Sequence, residues 1–79
     1  VLVAVSNTSG LAGIAHWINT YYRLSEDKKV DKSSELVKRV KKWVDDQYDD
    51  GRVTVIADNE LVEIINKTCE ELGITINKG

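Results

Sequence analysis

Apolar positions recur at the 3.6-residue spacing of a helix in three stretches, and short β-branched runs lie between and around them. In the first stretch, over 11–24, Leu11, Ile14, Ala15, Ile18, Tyr21 and Tyr22 fall at i, i+3, i+4, i+7, i+10 and i+11 and form one stripe. Asn7, Thr8 and Ser9 precede it and offer oxygens to its first-turn amides. The second stretch starts near Asp31 or Ser33 and continues to about Asp49. It sets Leu36, Val40, Trp43, Val44 and Tyr48 on one side, with Lys38, Arg39, Lys41, Lys42, Asp45 and Asp46 mostly on the other. Gly51 is placed to close it in left-handed backbone. Asp58 stands where it would cap a third helix, which turns Leu61, Val62, Ile64, Ile65, Cys69 and Leu72 inward and stops at Gly73.

Outside these stretches the pattern is extended. Residues 1–5 form a short apolar strand, 25–32 a solvated connection, 53–56 an extended link and 74–76 an extended tail. The fold class that follows is mainly α: a small three-helix domain with a short N-terminal strand and an extended C-terminal tail. Ile14, Ile18, Val40, Trp43, Val44, Leu61, Ile65 and Leu72 are the expected common core. The opening strand has no evident partner in such a fold, and an unpaired strand edge is a liability. The sequence contains no methionine. Together these features point to a piece of a longer polypeptide.

Composition narrows the function classes. A chain of 79 residues is one domain's worth, and area scaling gives burial of about 63% of the unfolded surface. Apolar residues at 42% and charged residues at 30% describe a globular chain. A net charge of -2 argues against a generic nucleic-acid binder. No apolar run approaches the ~20 residues of a membrane span. One cysteine forms no internal disulfide, and one histidine with one cysteine is too few for a structural zinc site.

Several features invite a chemical reading. Ser6-Asn7-Thr8-Ser9-Gly10-Leu11-Ala12-Gly13 leads from strand to helix, as a phosphate loop does, but the G-x-G-x-x-G spacing and the P-loop lysine are both missing. Close packing at a capped helix start is the simpler account of Gly10 and Gly13. The acidic run Asp45, Asp46, Asp49, Asp50 before Gly51 suggests a calcium loop. Setting Gly51 at the sixth loop position puts Tyr48 third and Ala57 twelfth, which defeats that reading and leaves a solvated helix end. His16 has no histidine or carboxylate partner at helical spacing and reads as a surface or interface residue. Cys69 falls on a core position. Trp17 departs from its helix's stripe, and exposed aromatic surface of that kind marks an interface. The lysines and arginines of 28–42 interleave with acids as a solvated face.

Val3-Ala4-Val5-Ser6-Asn7-Thr8-Ser9-Gly10-Leu11-Ala12-Gly13-Ile14-Ala15 resembles a recurring segment of the 2-isopropylmalate, homocitrate, citramalate and Re-type citrate synthases. In these a short strand passes through a polar Ser-Gly turn into a helix, after the catalytic barrel. The helix over 35–49, the Gly51-Arg52-Val53-Thr54 turn and the helix after Asp58-Asn59-Glu60 follow in the same order. Many relatives carry a histidine or a similar polar group directly before the Ser-Gly, where this chain has Thr8. The resemblance implies that residues 1–79 are a single domain, a C-terminal subdomain following the TIM barrel of a cytoplasmic, dimeric synthase. Such a parent is an acyltransferase that joins acetyl-CoA to a 2-oxo acid in a Claisen-type condensation with a divalent metal. A barrel needs ~250 residues, so the resemblance places no catalytic residue, metal ligand or cofactor in this chain. It does imply contact with the remainder of the parent and its dimer mate, without nucleic acid or membrane. Val3, Asn7, Ser9, Gly10, His16 and Trp17 are the candidate interface or active-site-mouth residues. A free-standing helical protein-protein interaction module is the alternative.

Overall fold

The computed structural model describes residues 5, 6 and 8–76, so the expected strand over 1–4, Val3 and Asn7 lie outside the described residues. Three helices follow one another: α1 (Leu11–Tyr21), α2 (Glu35–Asp49) and α3 (Asp58–Leu72). Among the described residues no sheet forms. The 53–56 link, expected to be extended, bends at Thr54 and makes one isolated antiparallel bridge, Val5 to Ile56, with the Ile56 amide donating to the Val5 carbonyl at 2.9 Å. Val5 and Ile56 are both buried. The end of the opening run therefore has a partner, contrary to the expectation that nothing would pair with it.

α2 lies between the other two helices and packs on both. Leu36, Val37, Val40 and Val44 are its buried residues. Val37, absent from the expected core, sits at about 100° from Leu36 around the helix, inside the arc bounded by Trp43 and Tyr48. Trp43 and Leu72 were expected in the common core but are only half-buried and pack on its rim. Ile14, Ile18, Val40, Val44, Leu61 and Ile65 are buried together as the stripes required. α3 adds Thr68, a buried polar residue whose hydroxyl donates to the Ile64 carbonyl one turn back at 2.7 Å.

Trp17 is only 2% exposed, which corrects its expected place on the surface. Its position extends the α1 stripe to an arc of about 160°, measured at 100° per residue from Trp17 to Ala15. The face is thus wide rather than doubled. Trp17 also stacks on Tyr21 one turn on, with ring centroids 4.6 Å apart and planes 8° apart.

The helix starts differ from expectation, each for a local reason. Gly10 is the N-cap of α1 and offers no side chain. Ser9 Oγ instead accepts the Ser6 amide at 3.0 Å, and Thr8 Oγ1 pairs with Ser6 Oγ, so neither caps the helix. Asp31 Oδ1 accepts the Ser33 amide at 2.8 Å and its hydroxyl at 2.5 Å, forming a turn that delays α2 to Glu35. Ala57, not Asp58, is the N-cap of α3, and Asp58 is its first helical residue. The Glu60 carboxylate reaches back to accept the Ala57 amide at 2.9 Å, which is the acidic half of a capping box.

All three helices end in the same double hydrogen bond. The Arg23 and Leu24 amides return to the Thr20 and Asn19 carbonyls, Gly51 and Arg52 to Tyr48 and Gln47, and Gly73 and Ile74 to Glu70 and Cys69. The motif demands left-handed backbone, and Gly51 and Gly73 supply it at φ 102° and 69°. In α1 the same position falls on Arg23 at φ 52°, so the helix stops at Tyr21 instead of reaching 24. A side chain in that region costs about 1–2 kcal/mol relative to glycine's freedom. Arg23→Gly is expected to raise the urea midpoint at unchanged m-value, by the equivalent of about 1 kcal/mol. A lowered midpoint would show that the Arg23 side chain contributes more than its backbone costs.

Candidate functional site

The bridge at Val5 brings the Ser6–Gly10 turn beside the link that joins α2 to α3. Of the candidate residues, Ser9 and Gly10 lie in that turn, Ser9 half-buried and Gly10 exposed. His16 is exposed on α1, opposite the centre of the apolar arc. Trp17 is in the core, so these residues do not converge on one surface. A Cβ built on Gly10 meets nothing within 4 Å, and one on Gly13 meets only Ser9 Cβ at 3.8 Å. The expected close packing at these glycines is therefore absent among the described residues.

The best-organised polar group at this end is one that sequence reasoning passed over. Arg52 follows Gly51, and its guanidinium holds the whole link. Nη1 and Nη2 donate to the two Glu60 carboxylate oxygens at 2.9 and 2.6 Å, a bidentate pair. Nη2 also reaches the Val55 carbonyl at 2.8 Å, Nε the Thr54 carbonyl at 3.1 Å, and Nη1 the Gln47 side chain at 3.3 Å. Tyr48 Oη donates to the Thr54 carbonyl as well, at 2.5 Å. The side chains of Arg52 and Glu60 are 17% and 34% exposed. The Arg52 hydrogen bonds first, then the Ala57 amide, hold the Glu60 carboxyl down at about 2, and Glu60 in turn raises the Arg52 guanidinium. An acid three residues after a helix N-cap was the available sequence signal.

The other titratable groups are structural. Asp45 and Asp46 pair with Lys41 and Lys42 one turn back, as a solvated helix end would. Burial pushes the Cys69 thiol up, away from nucleophilic use. Burial likewise raises Tyr22, whose hydroxyl has no hydrogen-bond partner among the described residues. Among the described residues, one hollow of about 310 Å³ lies beside Trp43, Glu60, Glu63, Ile64 and Lys67, and another of about 320 Å³ beside Leu24, Lys28, Thr75 and Ile76. None of the described candidates, Ser9, Gly10, His16 or Trp17, lines either one. Among the described residues no three histidines, cysteines or carboxylates group to hold a metal ion. No described helix is long and apolar enough to cross a membrane.

Comparison with known proteins places this arrangement in a class. The chain is 50% identical over 72 residues to a Citrate (Re)-synthase of Clostridium kluyveri, covering 91% of this chain and 16% of that protein. It is 40% identical over 72 residues to a Citrate (Re)-synthase of Syntrophus aciditrophicus, covering 91% of this chain and 11% of that protein. No family model matches, and no solved structure does. The chain is thus homologous to a stretch of condensing synthases of the kind its opening segment resembles. Within that class the matching relatives carry the name Citrate (Re)-synthase, and the chain spans about a sixth and a ninth of their lengths.

The Arg52–Glu60 pair has a pH signature. A carboxyl held below its ordinary range stabilises the folded chain above about pH 4.5, and that contribution is lost as the pH falls towards about 2. Glu60→Gln is expected to lower the urea midpoint at about pH 6, with the gap to wild type closing as the pH falls to about 2. A gap that stays constant across that window would show that the pair does not stabilise the link.

Proposed function

We propose that this chain is a non-catalytic subdomain of a larger cytoplasmic Citrate (Re)-synthase-type enzyme, one that follows the barrel and supports dimer assembly and the active-site mouth. The observation that carries the reading is the uneven coverage: half the residues are identical along nearly all of this chain, within a sixth of the relative's length. In the parent reaction the acetyl methyl carbon loses a proton and bonds to the keto carbon of oxaloacetate, whose oxygen takes up a proton; water then cleaves the thioester to release citrate and the free thiol. In this reading the divalent metal that the resemblance implies belongs to the rest of the parent. Ser9, Gly10 and exposed His16 are the described candidates left accessible for contact with the mouth, from separate places on the surface. Trp17 is buried in the core and helps to keep α1 in place.

A small part that only shapes a mouth acts through position, and misplacing a reacting group by about 1 Å can cost about 10²-fold. The test is the intact parent polypeptide beside a variant lacking residues 5–76. Intact protein is expected to form citrate from acetyl-CoA and oxaloacetate, and the shortened one to lose about 10²-fold in kcat/KM or to lose its dimer, at unchanged metal affinity. Wild-type turnover and assembly in the shortened protein would contradict the supporting role. An intact protein that forms no citrate would contradict the synthase reading itself.

A further inference from the structure

Two of the large apolar residues on this chain stand out from solvent-facing backbone at one place. Val53 is 93% exposed and Val55 is 55% exposed. One residue separates them, Thr54, where the backbone bends, and both stand on the exposed side of the link. Thr54, between them, turns its carbonyl to Tyr48 Oη and Arg52 Nε. This segment is held, not loose: Arg52 fixes it through Thr54, Val55, Gln47 and Glu60, and the Ile56 bridge anchors its far end. Ordering an exposed link so completely fits a surface prepared for contact, because the conformational cost of binding is then already met within the chain.

The chemistry of the patch limits what can cover it. The Thr54 and Val55 carbonyls already accept from Arg52 and Tyr48, so an added β-strand would compete with bonds in place. Contact by the two isopropyl groups remains. Arg52 and Glu60 neutralise one another, while Asp49, Asp50 and Asp58 flank the link, exposed and without an ion pair among the described residues. The result is an apolar centre with an acidic rim. The relatives are several times longer than this chain, and most of their length lies outside the matched stretch.

Resting on the synthase reading above, we propose that the Val53–Val55 link is the face by which this subdomain docks on the remainder of its own parent polypeptide. The two valines enter an apolar socket with a basic rim. The link and the 25–34 connection lie at opposite ends of α2, about 22 Å apart, and Glu26 on that connection is a control whose side chain is 90% exposed.

The test places a photo-cross-linking benzoylphenylalanine at Val53, and separately at Glu26, in the intact parent polypeptide. Neither substitution enters the core. Val53 is expected to give intramolecular cross-links to residues outside 1–79, with loss of that product when the label sits at Glu26. Cross-links confined to residues 1–79, cross-links to a second copy, or equal yields from the two positions would overturn the proposal. Citrate formation by the same preparations separates the two ideas. An active enzyme without the cross-link removes the docking face alone, whereas a cross-linked polypeptide that makes no citrate removes the synthase reading alone.

Discussion

A three-helix chain of 79 residues has one helix that must serve two neighbours, and here it is α2. Its four buried residues, Leu36, Val37, Val40 and Val44, are small or medium aliphatics at 0–1% exposure. Their size lets α1 and α3 approach from either side, while the bulkier Trp43 and Tyr48 stay on the rim. α1 meets α2 with an aromatic-rich face and α3 with Leu61, Ile65 and Cys69. Neither outer helix could bury its stripe without the middle one, and short helices have little stability of their own in water.

That arrangement moves the burden onto the connections, since no sheet ties them down among the described residues. Each connection is held by one polar side chain, the first from α1 and the second from the link itself. Asn19 on α1 donates to the Val30 carbonyl and accepts the Val30 amide, both at 2.8 Å, so it treats the 25–34 connection as a neighbouring strand would. Arg52 does the equivalent work for the link to α3, with a charge and a fork of donors in place of an amide. Both devices give backbone groups of irregular chain a partner, part-buried ones at Val30 and exposed ones at Thr54 and Val55. The second also leaves Val53 and Val55 presented in a fixed direction.

Much of this was legible in the residues. The three stripes located the helices because burial on one face imposes a 3.6-residue period, and Gly51 and Gly73 marked two of the ends because left-handed backbone favours glycine. Arg23 hid the third end, since nothing in an arginine announces positive φ. Trp17 and Val37 were misplaced because a strict i, i+3, i+4 stripe is narrower than the arc a packed helix buries. Asp58 drew attention as a cap, yet Glu60 does the capping from inside the first turn, aligned by Arg52 from outside it. Long-range pairings such as Val30 with Asn19 or Val5 with Ile56 leave no local trace in sequence. The mouth-facing candidates were read from family likeness, and of these the structure moves Trp17 inward while leaving Ser9, Gly10 and His16 accessible.

The dependence of both outer helices on α2 is open to one direct measurement, amide hydrogen exchange of the chain with and without Val40→Ala. The substitution changes no residue of α1 or α3, and it opens a cavity at a buried position of α2, the helix on which both pack. The account predicts that protection falls by the same factor at Ile18 in α1 and Ile65 in α3, because they open together with α2 as one cooperative unit. Protection lost in one outer helix and retained in the other would contradict it.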